Sequence, residues 1–382
     1  YIEFGYDSRY TLCVFEDNLN YGLVFVDTTT HEFFIGEFRD SSERAHFRTL
    51  MTRTKPVEVV YYKEYLTVDT LSIIKGMSNK PNLTPFSILT LRETTDIFKK
   101  IKYYLKGPSK FLQEIENKTC GLPLSKNDQN FMLIQALSLC LEFMESVLLA
   151  HTVFGMGNFL PFDGSFQRQG TLYLDSQALE SLEILEVPYF NSMSESASLL
   201  GYMNKTSSAF GKRLFKRWLT APLLDPVLIA ERQKAVDDLL HNFIIVDQFQ
   251  AMLKKLPDLE RMINKFYNLA DKQKLMVVHS GNSTVNKLKD FFELLKQIKS
   301  MELEMEKIQN YASIFKSKRL RQLCSFRKSP GFSSQIMDED DGLFPRVYDI
   351  LSDFEKMIKI RDNNIIPSSG INQDVDNMIL TI

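Results

Sequence analysis

Asp27 ends an apolar and aromatic run, Tyr21-Gly-Leu-Val-Phe-Val-Asp27, and α/β magnesium nucleases begin their metal cluster with a carboxylate at such a strand end. That chemistry needs partners, because a single carboxylate does not fix a divalent ion. Glu37 faces the same way if its strand pairs with the first, yet no further carboxylate stands at a suitable strand end. Asp27 also heads Asp27-Thr-Thr-Thr30, where an aspartate oxygen commonly bonds the backbone two residues on. The turn role is favoured, so no catalytic residue and no metal ligand is assigned.

Other reactive residue types lack the spacing their chemistry requires. Lys212 follows Gly211, but the earlier glycine of a phosphate loop is missing, and Gly155-Met-Gly157 lacks the third glycine of a dinucleotide fingerprint. No cofactor-binding residue follows from either. His31, His46, His151, His241 and His279 are isolated from one another and from cysteine. Cys13, Cys120, Cys140 and Cys324 show no CxxC and no disulfide framework, which suits a reducing compartment. No Gly-x-Ser-x-Gly elbow supports a nucleophilic serine.

The compact basic cluster is Lys205, Lys212, Arg213, Lys216 and Arg217, four of them on two adjacent stripes of one predicted helix. It could bind phosphate. The favoured alternative is a solvated face opposite Leu214, Trp218 and Leu219, with ion pairs to Glu231, Asp237 and Asp238. The formal net charge is −2 and the pI near 6.3, so no global positive field draws the chain to a polyanion. Any DNA contact is therefore local, and no DNA-binding residue is named.

The elements that must carry these residues fall into two regions, as expected for 382 residues with 44% hydrophobic and 25% charged side chains. Tyr10 to Val14, Tyr21 to Val26 and Glu32 to Phe38 read as an antiparallel meander. A helix opening at Ser41, with Phe47, Leu50 and Met51 on one face, precedes a strand from Val57 to Tyr62. Beyond Pro85 strand signals fade, and Thr95 to Leu105 and Gln129 to Thr152 read as helices, the second with the stripe Phe131, Ile134, Leu137, Leu141 and Leu148. Leu133 to Ala150 is interrupted by Gln135, Glu142 and Glu145 and is predicted as a buried helix rather than a membrane span.

Gly155 to Arg168 is the predicted boundary, placed near residue 160. After a short extended piece, Thr171 to Asp175, the rest reads as helices: Ser176 to Leu185, Ser208 to Leu219, Pro226 to Leu240, Ile244 to Lys255 and Leu259 to Tyr267. A long helix, Thr284 to Ile314, follows, then a polar loop from Ser329 to Gly342 that holds the acidic run Asp338 to Asp341. Tyr1 is not Met, no signal-peptide pattern is present, and Asp374 to Ile382 reads as an opening helix, so the chain reads as an excised piece.

Asn204-Lys-Thr, Phe210-Gly-Lys-Arg-Leu, Arg217-Trp-Leu, Ala221-Pro-Leu, Arg232-Gln-Lys-Ala-Val and Leu256-Pro-Asp-Leu-Glu-Arg261 together resemble the lever domain of the MutS family of DNA mismatch-repair proteins. Ile366-Pro-Ser-Ser-Gly-Ile-Asn-Gln-Asp374 is similar to the start of that family's long clamp-bound helix. Tyr21 to Asp27 with Phe33-Phe-Ile-Gly-Glu-Phe38 resembles its connector domain, and Pro56-Val-Glu-Val-Val60 points toward the eukaryotic homologue-six branch.

The resemblance implies an α/β connector at 1–160, a ribonuclease-H-like mixed sheet with helices and no nuclease activity, followed by the N-terminal part of an all-α lever at 161–382. The lever signature residues are Thr206, Gly211, Arg213, Trp218, Pro222 and Arg232. Thr206 and Ser207 are expected to cap the helix, Gly211 to allow close backbone approach, Trp218 to fill the core and Pro222 to stop the helix. Mismatch reading in this family uses Phe-x-Glu. Phe143-Met-Glu145 and Phe291-Phe-Glu293 carry that triplet inside predicted helices, where Phe143 and Phe291 are expected to face the core.

The whole protein would be a nuclear DNA-dependent ATPase using ATP and magnesium. It would pair with MutS homologue two, bind mismatched double-stranded DNA and recruit a MutL homologue, without a membrane. This segment itself would hold no cofactor and no catalytic residue. The rival readings are a ribonuclease-H-like nuclease with a helical accessory domain, and a helical scaffold unrelated to repair.

Overall fold

The computed structural model describes residues 8–87, 94–105, 109–119, 128, 130–156, 158–162, 170–187, 197–269, 281–327, 342–344, 346, 348, 352, 358–361 and 364–367. The chain forms two compact units, Tyr1–Leu224 with Asp258–Asn268, and Asp225–Pro257 with Leu269–Ile382. It therefore passes between them three times.

The first unit is built on a mixed six-stranded sheet. Strands β1 (Tyr10–Asp17), β2 (Asn20–Asp27) and β3 (Glu32–Arg39) form the predicted antiparallel meander. Helix α1 (Ala45–Thr54) leads to β4 (Glu58–Tyr62), parallel to β1, and α2 (Val68–Lys75) leads to β5 (Asn82–Phe86), parallel to β4. After α3 (Thr94–Tyr104), α4 (Lys110–Thr119), α5 (Phe131–Ser146) and α6 (Ala150–Met156), strand β6 (Asn158–Pro161) joins parallel to β3. The order is β5-β4-β1-β2-β3-β6.

Both faces of this sheet are covered, which is why β1 and β2 read as nearly continuous apolar runs. Cys13, Phe15, Val24, Val26, Phe33 and Ile35 pack under α3 to α6, while Leu12, Val14, Tyr21, Leu23 and Phe25 pack with Phe47, Leu50, Met51 and Ile74 of α1 and α2. β5 reaches the point, Pro85, beyond which strand signals fade. Its Pro85 is tolerated because β5 is an edge strand.

Three expectations shift for stated reasons. α1 starts at Ala45 rather than Ser41, because Arg44 is left-handed (φ 55°) and the buried Asp40 carboxylate accepts the amides of Ser41 (2.7 Å), His46 (3.1 Å) and Phe47 (2.8 Å). The predicted Gln129 to Thr152 helix is two helices, broken where Leu148 turns left-handed (φ 58°) and stands 88% exposed, so it leaves the buried stripe. The predicted boundary stretch contributes β6 to the sheet, and residues 157 and 163–168 within it lie outside the described residues.

α5 is seated by one cross-strand pair, Gly22 opposite Glu37. A Cβ on Gly22 would stand 1.8 Å from the Met132 carbonyl oxygen, so only glycine lets the helix backbone down onto β2. The Glu37 carboxylate accepts the amides of Asn130 (2.7 Å) and Leu133 (3.3 Å), satisfying donors that the start of α5 would otherwise bury unmet. Gly36 serves similarly, its missing Cβ falling 1.6 Å from the Phe162 carbonyl oxygen.

The remaining helices are α7 (Ser176–Ser181), α8 (Leu199–Met203), α9 (Ala209–Thr220), α10 (Pro226–Leu240), α11 (Phe243–Lys255), α12 (Leu259–Leu269), α13 (Gly281–Gln309) and α14 (Lys318–Leu323). In the second unit, Ile245 and Met252 of α11, Met305 and Ile308 of α13, and Phe315, Leu320, Cys324 and Phe326 form one core. α13 has 29 residues, roughly 43 Å at about 1.5 Å per residue. It ends before the predicted Ile314, which lies in a separate 3-10 turn, Ala312–Ile314.

The second region is not wholly helical, since β7 (Ile358–Arg361) and β8 (Asn364–Pro367) form a hairpin. The predicted loop from Ser329 falls outside the described residues up to Gly342, as does the expected helix from Asp374. Among the described residues no helix is long and apolar enough to cross a membrane. Cys13, Cys140 and Cys324 are free and buried; Cys120 lies outside the described residues.

Replacing Gly22 with alanine forces backbone apart and is expected to cost about 3 kcal/mol, the upper range for overpacking. Glu37→Ala orphans two amides and is expected to cost about 2 kcal/mol. Urea denaturation of the chain measures both. Losses below about 0.5 kcal/mol, the scale of ordinary surface substitutions, would show that α5 does not depend on this seat.

Candidate functional site

The residues that converge are at the start of α9 and the start of α12, both in the first unit. Ser208 caps α9, its hydroxyl accepting the Gly211 amide at 3.2 Å, and Thr206 instead donates its hydroxyl to Asn204 Oδ1 at 2.6 Å. The cap is thus Ser208 rather than Thr206 or Ser207. A Cβ on Gly211 would come within 2.8 Å of the Ser208 hydroxyl, so the close approach that glycine permits is by the helix's own cap and not by another backbone.

One turn into α9, Arg213 points inward with 4% of its side chain exposed. Its Nη1 and Nη2 each donate to an Asp258 oxygen at 2.7 Å, and its Nε donates to Glu260 at 3.0 Å. Pro257 and Asp258 set the start of α12, and Asp258 also accepts the Arg261 amide at 3.4 Å. One carboxylate therefore caps one helix while gripping the other with a bidentate fork.

The electrostatics follow from this geometry. Burial works against the Arg213 charge, yet the bonds to Asp258 and Glu260 outweigh it and raise its pKa above the ordinary guanidinium value. Burial likewise opposes ionisation of Asp258, and the bonds and charge of Arg213 overcome it, holding the carboxyl below its usual 3.8.

Two further ties hold α9 and α12 to the β2–β3 turn. Arg217 Nη2 lies 3.2 Å from Glu32 Oε2, and the buried Asn264 donates to the Thr30 carbonyl at 2.7 Å. That turn is fixed by Asp27, whose carboxylate accepts the Thr29 amide (2.9 Å) and hydroxyl (2.6 Å). Asp27 is thus in its turn role, and Glu37 is committed to α5. Among the described residues no group of three or more His, Cys, Asp or Glu could hold a metal ion.

Of the other predicted residues, Pro222 follows the end of α9 and its carbonyl accepts the Leu172 amide at 2.7 Å. Trp218 is 44% exposed and does not fill the core, since it shares the outward face of α9 with Leu214. Arg232 is on α10, which belongs to the second unit. The basic cluster is partly neutralised, but by Asp258, Glu260 and Glu32. Glu231 pairs with Lys234 (3.0 Å), Asp237 with His241 (3.5 Å), and Asp238 accepts the Ser317 amide (2.8 Å).

Neither Phe-x-Glu triplet is presented as a wedge. Phe143 packs against the core, with Glu145 held by Lys100 and Tyr104 at 3.1 Å each. In the second, Phe292 rather than Phe291 is buried. Sequence reasoning did not find Asp258, Glu260, Glu32 and Asn264 as partners. The Pro257-Asp258 cap was the only local signal available, since the others are joined across 47 to 234 residues of sequence.

Comparison with known proteins adds two domains in series. The MutS domain II family model matches residues 9–153 and the MutS domain III model matches residues 177–362. The chain is similar to DNA mismatch repair protein Msh6 of Gallus gallus, 28% identical over 98% of this chain and 30% of that protein. It is similar to Msh6 of Homo sapiens, 28% identical over 95% and 29%, and to MSH6 of Saccharomyces cerevisiae, 25% identical over 93% and 26%. It spans about 30% of the length of these curated relatives.

Arg213→Met leaves Glu260 without its cation and Asp258 with only Arg261, 3.4 Å away, and is expected to cost about 3 kcal/mol at neutral pH. Because the folded Asp258 pKa is depressed, its contribution is present above the ordinary value near 3.8 and disappears as pH falls through the lower folded value. Urea titrations of parent and variant should therefore converge below pH 3.8. A gap that persists undiminished below the folded Asp258 value rules out the ion pair as its source.

Proposed function

The chain belongs to the MutS family, and on that premise we propose that it is the connector, residues 1–160, and the N-terminal part of the lever, residues 161–382, of a mismatch-recognition subunit like Msh6. The whole subunit pairs with MutS homologue two, binds mismatched double-stranded DNA in the nucleus, and hydrolyses ATP with magnesium. It recruits a MutL homologue. This segment supplies the linkage between the mismatch-binding and clamp regions and the ATPase, and carries no catalytic residue.

The observation that carries the reading is the Arg213 cluster, which lies within the MutS domain III match (177–362) that follows the MutS domain II match (9–153). A sheet meander followed by parallel strands, with helices between, supports the ribonuclease-H-like description of the connector. The commitment of Asp27 and Glu37 to backbone amides supports a connector that does not cleave DNA. Thr206, Gly211, Arg213, Trp218, Pro222 and Arg232 form the lever signature in this reading.

Transmission requires elements that move as bodies. Arg213 is held by three oxygens at once, and a partial shift of α12 would strip several charge-assisted bonds together. α13 runs 29 residues without an internal Pro or Gly after its first position. Such parts switch between arrangements rather than bend.

A glycine pair at Lys296 and Ser300, both exposed on α13, tests this in the full-length protein with its partner subunit. Mismatch-stimulated nucleotide exchange is expected to fall about fivefold or more, with exchange in the absence of DNA unchanged. Unchanged stimulation would discard the linkage role. A wild-type protein with no preference for mismatched duplex would discard the mismatch-recognition reading as a whole.

A further inference from the structure

Residues 316–328 read Lys-Ser-Lys-Arg-Leu-Arg-Gln-Leu-Cys-Ser-Phe-Arg-Lys, six cations without a carboxylate in a chain of net charge −2. Leu320, Cys324 and Phe326 among them are buried in the core of the second unit, while Leu323 is exposed. That burial turns Lys316, Arg319 and Arg321 outward, and all three are exposed. Arg346, also exposed, lies 5.0 Å over the Phe326 ring.

Arg327 is partly exposed, and its Nε is removed from solvent with no hydrogen-bond partner among the described residues. Of the carboxylates that reach α14, Glu231 pairs with Lys234 through one oxygen and lies at the first amides of α14, its other oxygen being buried without a hydrogen-bond partner, and Asp238 accepts the Ser317 amide. Among the described residues no ion pair joins Lys316, Arg319, Arg321, Arg327 or Arg346 to a carboxylate. The acidic run 338–341 lies outside those residues. Arg232 of α10 sits close enough to Arg319 for the two charges to oppose each other.

Like charges gathered without counter-charges repel, and an anionic ligand removes that cost. Arginine forks match phosphate bidentately, and several cations spread over a surface suit a repeating anion rather than a single ion. Phe326 is buried, so it offers no ring to a base. We propose that the cations around α14, the exposed Lys316, Arg319, Arg321 and Arg346 with the partly exposed Arg327, contact the sugar-phosphate backbone of duplex DNA without reading its sequence. The proposal rests on the mismatch-repair reading above for its choice of polyanion.

The test uses the full-length protein with its partner subunit and measures fluorescence anisotropy on matched and mismatched duplex across a salt series. R319Q/R321Q/R327Q is expected to lower the magnitude of the slope of log Kobs against log salt by about 2 to 3, and to weaken both duplexes by the same factor. R319K/R321K/R327K keeps the charges and is expected to keep the slope. A glutamine variant with the wild-type slope overturns the proposal, including the case in which it loses an acidic protein partner instead. A lysine variant that falls as far as the glutamine one indicates structural damage and also overturns it. If wild type binds both duplexes equally while the slope still falls, the patch stands and the mismatch-recognition reading fails. If wild type prefers mismatched duplex and the slope does not change, only the patch fails.

Discussion

A carboxylate withdrawn from water must be given donors, and in this chain the donors are the first amides of helices. Asp40 takes those of α1, and Glu37 those of α5. Glu16, 1% exposed on β1, accepts the Thr67 amide at 3.0 Å and the Thr67 and Thr70 hydroxyls at the head of α2. Asp258 caps α12, and Asp238 takes the amide of the cap residue of α14. Each such bond fixes where a helix begins as well as how strongly it is held, because the acceptor belongs to an element already placed. The arrangement of helices on the sheet is therefore written largely in acidic side chains.

The same constraint explains the absence of a recognisable reaction centre among these acids. Asp27, opposite Glu32, and Glu37, opposite Gly22, stand at opposite ends of the β2–β3 ladder, so the two carboxylates do not converge on one cation, and each already accepts backbone amides. Arg213 is fixed by the complementary rule. A buried guanidinium is stable only with acceptors in its plane, and Asp258 and Glu260 provide them.

What was legible in the sequence follows from range. The three meander strands and the helices from Pro226 to Leu240 and from Leu259 onward carry their own periodicity and turns, so local pattern was enough. α5 and α6 share one apolar pattern, and only the left-handed Leu148 divides them. β6 is four residues long and becomes a strand because β3 leaves an edge to pair with. Trp218 looked like core because aromatic residues usually are, but its position on α9 is set by Arg213, whose burial turns Trp218 outward. The partners of Arg213 were hidden because an ion pair across 45 residues leaves no periodic trace. The run from Lys316 to Lys328 was hidden by the opposite effect, since averaging over a chain of net charge −2 erases a local excess.

The Arg213 cluster has consequences for how force would travel. A single hydrogen bond stretches gradually, but Arg213 binds two carboxylates on the first turn of α12, one of which also caps that helix. Displacing α12 along its axis would break the fork and the cap together, so intermediate positions are unfavourable relative to either end of the movement. Asn264, one turn and a half further along α12, adds a second anchor at Thr30, which resists rotation about the first. Two anchors on one helix leave rigid displacement of the whole helix with its turn as the least costly motion. A joint of this kind passes on a shift or holds still, which is what a linkage between distant sites needs and what a flexible tether cannot supply.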